Sequence, residues 1–95
     1  MMIEFFWDEA KNKANQKKHG VSFEEAQSVF ADEKARLLHD VDHSAEEDRF
    51  ILLGISIKLK LLVVCHCYRE KDHLIRIISA RKATLKEQKQ YEEFL

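Results

Sequence analysis

Four cations stand in and beside an apolar run near the carboxyl end: Arg76, Arg81, Lys82 and Lys86, in HLIRIISARKATLKEQ, residues 73–88. Arg76 interrupts a row of aliphatic residues, and a guanidinium buried without partners is very costly. Two readings are open. Arg76 is either paired with a carboxylate, such as Asp40, Asp42 or Glu70, or exposed to an anion. A guanidinium offers two parallel donors that match phosphate geometry, so the second reading is a phosphate site. His19 follows Lys17 and Lys18 and precedes Gly20. It reads as a histidine capping a helix end, or as a group placed to move a proton.

Other constellations carry less. In CHC, residues 65–67, a strand would turn Cys65 and Cys67 to one side and His66 to the other, so the three cannot share one ion. A structural zinc site needs four ligands and no second cysteine pair exists, so these read as core cysteines and no metal is expected. His39 and His43 flank DVD, and a strand running into a polar loop accounts for them as well as a metal would. The chain holds only two glycines, Gly20 and Gly54, and no glycine-rich phosphate loop, which argues against nucleoside-triphosphate chemistry.

Ninety-five residues, 45% apolar and 35% charged, suit one domain, 1–95, with a modest core under a charged surface. No stretch approaches the roughly 20 apolar residues of a spanning helix, and the cysteine usage suits a reducing, cytoplasmic compartment. The net charge of −1 is unevenly spread. Residues 1–47 hold six Lys/Arg against eleven Asp/Glu, whereas residues 48–95 hold ten against six. A basic face on a near-neutral molecule is therefore possible.

The elements that would position these groups follow from caps and periodicity. Asp8 and Gly20 bound a first helix with Ala10 and Ala14 as a small inner face; Ser22 opens a second, with Phe23, Ala26, Val29 and Phe30 as its apolar stripe. ARLLHDVD, RFILLGISI, LKLLVVCHCYRE and HLIRIISA read as four strands, joined by short connections that favour antiparallel neighbours. Thr84 opens a last helix running to about Phe94, with Leu85, Gln88, Tyr91 and Leu95 expected inward. The expected class is α+β: two N-terminal helices, a four-stranded antiparallel sheet and a C-terminal helix, with one sheet face left more open. Strict alternation in the last strand puts Arg76, Ile78 and Ala80 on one face and Ile75, Ile77, Ser79 and Arg81 on the other.

Taken together, FFWDEAKNKANQKKHGVSFEEAQSVF, DVDHSAEEDRFILLGIS, LLVVCHCYRE and IRIISARKATLKEQKQYE resemble the BrnT-type toxins of bacterial type II toxin–antitoxin pairs, over essentially the whole chain. The resemblance implies a RelE-like fold and RNA cleavage without a metal or other cofactor, the ribose 2′-hydroxyl attacking the adjacent phosphate. Such chemistry needs a base, an acid and cations around the phosphorane. Carried onto this chain, it implies Arg76 and Arg81 as phosphate or transition-state ligands and His19, then His66, for proton transfer. Arg69 and Lys82 would hold flanking phosphates, and Lys18 would steer the RNA backbone. It also implies a cognate antitoxin as partner, with operator DNA engaged only through that antitoxin, and no membrane. The alternative is a non-catalytic module whose basic sheet docks an acidic partner segment.

Overall fold

The structure is a computed structural model that describes residues 3–40, 47–71, 73–93 and 95. The chain runs β1 (Glu4–Phe6), α1 (Glu9–His19), α2 (Phe23–Ser28), a 3-10 turn (Val29–Ala31), β2 (Arg36–His39), β3 (Phe50–Ile55), β4 (Leu61–Arg69), β5 (Leu74–Lys82) and α3 (Leu85–Glu92). The α+β class holds, but the sheet has five strands in the order β1-β5-β4-β3-β2. β1 lies parallel to β5, Glu4 to Phe6 matching Leu74 to Arg76, so the sheet is mixed rather than four-stranded and antiparallel. Three residues are too few for alternation to announce a strand; β1 exists because β5 offers it an edge.

Local caps act as expected. The Asp8 carboxylate accepts from the Lys11 N–H, and Gly20, with φ 71°, closes α1 in the left-handed region. Ser22 accepts from the Glu25 N–H. Thr84 and Glu87 form a reciprocal capping box at α3.

The inner face of α1 differs from the expectation. Ala10 and Ala14 are exposed, whereas Asn12 and Asn15 are buried. These amides replace apolar packing with hydrogen bonds. Asn15 donates to the carbonyls of Ala80 and Val21, both at 2.8 Å, and accepts from the Ala80 N–H at 3.1 Å. Its side chain thus imitates a neighbouring strand where β1 no longer covers β5. Asn12 accepts from the Phe23 N–H and donates to Glu24, stitching α1 to α2.

Packing divides the sheet into two faces. Beneath α2, Val21, Phe23, Ala26 and Val29 meet Leu52, Leu62, Val64, Ile77 and Ala80. On the opposite face Leu53 and Val63 pack with Tyr91 of α3. Of the inner face expected for α3, Tyr91 alone is buried; Leu85, Gln88 and Leu95 are exposed. Tyr91 is held by its hydroxyl, which donates to Asp32 at 2.7 Å. Among the described residues no other helix packs across this face, although Cys67 there is fully buried. His43 and Asp42, weighed above as metal ligands, lie outside the described residues.

Candidate active site

A β-bulge decides which side chains share the open face. Cys65 stands opposite Ser79, but His66 stands opposite Ile77, so Ile78 is an extra residue in β5. Alternation changes phase there. Ile75, Ile77 and Ala80 all point to the covered core, while Arg76, opposite Cys67, and Arg81, opposite Val63, both emerge on the open face. Strict alternation had separated the two arginines and grouped Arg76 with Ala80. The bulge reunites them.

Arg76 is paired, though not with Asp40 or Glu70; its partner is Glu47, at 3.6 Å. Asp42, the third carboxylate considered, lies outside the described residues. The same carboxylate takes a hydrogen bond from Arg69 at 2.5 Å and faces Arg49 at 3.6 Å. The Arg69 hydrogen bond, chiefly, holds the Glu47 carboxyl below its ordinary value; burial opposes this, and the charges of Arg69, Arg76 and Arg49 reinforce it. Three guanidiniums around one carboxylate leave an excess of positive charge. The Arg76 side chain is 26% exposed, so it is neither sealed nor unneutralised.

Arg81 makes a two-pronged pair with Glu87 of α3, at 2.8 and 2.9 Å, and also donates to the Lys82 carbonyl. These bonds use three of five guanidinium donors, leaving an Nη2 and the Nε hydrogen for an anion. The Glu87 carboxyl is drawn down to about 2, mainly by Arg81, with burial opposing and the Thr84 cap assisting.

Lys18 and His19 reach this face from the end of α1. They line one concavity with Arg49, Ser79 and Arg81, floored by Val63 and Cys65. Burial and the nearby Asp40 push the Cys65 thiol up, so it stays a neutral wall. Arg49 joins the two halves, lining this concavity and facing Glu47.

Two expected site residues are placed elsewhere. His66 is fully buried on the covered face, in the row of Leu62 and Val64, with its ring against Phe30 at 4.8 Å. Its Nδ1 donates to the Val64 carbonyl and its Nε2 meets the Tyr68 hydroxyl, while burial lowers its pKa. It is a neutral core histidine, out of reach of a substrate. Lys82 is exposed but faces a different concavity, beneath α3. Conversely, Glu47 and Arg49 were missed by sequence reasoning. Their signal is the run EEDR, in which Glu47 falls in the connection between strands and Arg49 opens the segment RFILLGISI read as a strand. Among the described residues, no group of three or more His, Cys, Asp or Glu is placed to hold a metal.

Comparisons with known proteins bear on this arrangement. A family described as "Ribonuclease toxin, BrnT, of type II toxin-antitoxin system" matches residues 7–87. The chain is also similar to the crystal structure of the Brucella abortus ribonuclease toxin, BrnT. The TM-score is 0.66 at 22% identity, over 87% of this chain and 99% of that one. At that identity the likeness shows the fold. No curated protein matches the sequence.

Proposed function

The chain belongs to the BrnT family of ribonuclease toxins of type II toxin–antitoxin systems, and from that premise we propose a metal-independent RNA endonuclease neutralised by a cognate antitoxin. Residues 1–95 form one RelE-like domain in this reading. The observation that carries it is the bulge at Ile78, which turns Arg76 and Arg81 to the open face that Lys18 and His19 border.

The chemistry follows from that placement. A 2′-hydroxyl attacking the adjacent phosphorus builds charge on the non-bridging oxygens, and fixed guanidiniums stabilise it without reorganising. Arg81 offers its two remaining donors, and Arg76 and Arg69 supply charge from the Glu47 cluster. Glu47, kept ionised by its neighbours, is too weak a base to accept the 2′-proton efficiently. It holds Arg69 and Arg76 in place instead; His19 takes the 2′-proton and returns it to the 5′-oxygen as the P–O5′ bond breaks, leaving a 2′,3′-cyclic phosphate. Lys18 steers the RNA backbone. Since guanidiniums supply the positive charge, cleavage proceeds in EDTA. The toxin works on cytoplasmic RNA in this reading, and it contacts operator DNA only through the antitoxin. Among the described residues, no helix is long and apolar enough to cross a membrane.

The test is cleavage of RNA by partner-free protein in EDTA. Arg76→Ala and Arg81→Ala are each expected to lower the rate by about 10²-fold while remaining folded by circular dichroism. Unchanged cutting by both folded variants would remove the proposal. One observation favours a second reading: the arginines already hold carboxylates, Glu47 and Glu87. An acidic partner segment could exchange with them, and then no RNA would be cut at all.

A further inference from the structure

The turn between β3 and β4 carries a leucine that is unfavourable in two ways. Leu59 has φ 61°, in the left-handed region where a bulky side chain is strained and glycine or asparagine is usual. It is also 84% exposed. Ile57, two residues earlier, is 79% exposed. Solvation favours neither residue, and the backbone conformation also disfavours Leu59; strain of this kind points toward a contact made elsewhere.

Leu59 borders a concavity of about 630 Å³ floored by Ile55, Leu61 and Ala83, with Tyr91 and Leu95 on its helical side. Ile55 also lines the neighbouring hollow that contains Ile57, so the apolar surface continues around the turn. The rim is cationic. Lys60 and Lys82 line the groove and Lys58 lies between the two exposed aliphatic residues, while Glu92 is the acid among its lining residues.

We propose that this groove docks an acidic amphipathic helix of the antitoxin, with Leu59 as the apolar anchor; this rests on the toxin–antitoxin reading and names where the partner sits. A helix presents apolar residues at i, i+3, i+4 and i+7 to such a groove. Its acidic flanks meet Lys58, Lys60 and Lys82. A second copy of this chain fits less well, because a two-fold contact sets the lysine rim against itself. RNA fits less well too, since the floor is aliphatic and the ring that lines it, Tyr91, is buried. Occupancy also accounts for neutralisation. It sets the partner's acidic flank at Lys82, the chain neighbour of Arg81, where that negative charge repels an RNA backbone.

The probe is the polypeptide encoded by the reading frame beside this chain's own, titrated onto partner-free protein by calorimetry. Leu59→Gly is expected to weaken binding at least tenfold, and so is the pair Lys58→Glu and Lys60→Glu. Leu59→Gly should leave the RNA-cleavage rate of the free chain unchanged and melt at or above the wild-type temperature, because glycine relieves the strain. Equal affinity of wild type and Leu59→Gly overturns the groove while leaving the toxin reading intact. Failure of the wild type to bind the probe overturns both. A free chain that dimerises, and becomes monomeric as Leu59→Glu, assigns the groove to a second copy and also overturns the proposal.

Discussion

At the scale of single residues, the site is governed by where two carboxylates sit. Glu87 occupies one edge of the Arg81 guanidinium, and its own pKa falls from 4.5 to about 2 in consequence. A depressed carboxyl stabilises the fold above its unfolded pKa and loses that contribution as pH falls through the folded one. The Arg81–Glu87 pair is therefore fully effective above about pH 4.5 and fades toward pH 2. Glu87→Gln should cost on the order of 1–2 kcal/mol at neutral pH, after allowance for the exposure of both side chains. The difference from wild type should shrink to nothing in acid. Urea unfolding across this pH range is the measurement, and a pH-independent difference would count against the ion pair as its source.

At the scale of elements, α1 docks through amides rather than a hydrophobic stripe, and this allows it to end beside the open face. Asn15 satisfies both backbone groups of Ala80 on the stretch of β5 that β1 does not pair. Asn15→Ala leaves those groups and the Val21 carbonyl without their side-chain partner. Chemical denaturation should show a loss of about 2–4 kcal/mol. RNA cleavage should fall as well, because His19 and Lys18 lie one helical turn further along. Full stability in Asn15→Ala would mean that α1 is held by something other than this pairing. The bulge in β5 is the other decisive element. Without the extra residue Ile78, Arg76 or Arg81 would have to enter the covered core, where an unpaired charge is very costly.

For the whole molecule, the net charge of −1 hides a local excess of cations. Glu47 stands among Arg49, Arg69 and Arg76, and Lys18 adds charge at the rim. RNA binding should accordingly be salt-dependent but shallow. With up to four phosphates neutralised, the slope of log affinity against log salt should lie between about −1 and −3 for single-stranded RNA. Fluorescence anisotropy with a non-cleavable 2′-deoxy oligonucleotide checks this. A slope near zero would show that the open face does not engage a polyanion.

Caps, strand segments and the family motif could be read directly, since each depends on residues three or four positions apart or on an unbroken local pattern. Asp8, Ser22, Thr84 and Gly20 mark their helix ends by hydrogen bonds that the nearby chain itself completes. The α+β class followed from the caps and strand segments, and the kinship with ribonuclease toxins from the resemblance of the motif stretches to that family. Three features needed the tertiary structure: β1 on the edge of β5, the phase change at Ile78, and Glu47 among three arginines. Each is set by pairing between residues far apart in the chain. A single extra residue reverses which face a side chain occupies, and strand periodicity carries no mark of where it will fall. Arg76 and Arg81 show the consequence, for strict alternation separates two guanidiniums that the bulge brings onto one face.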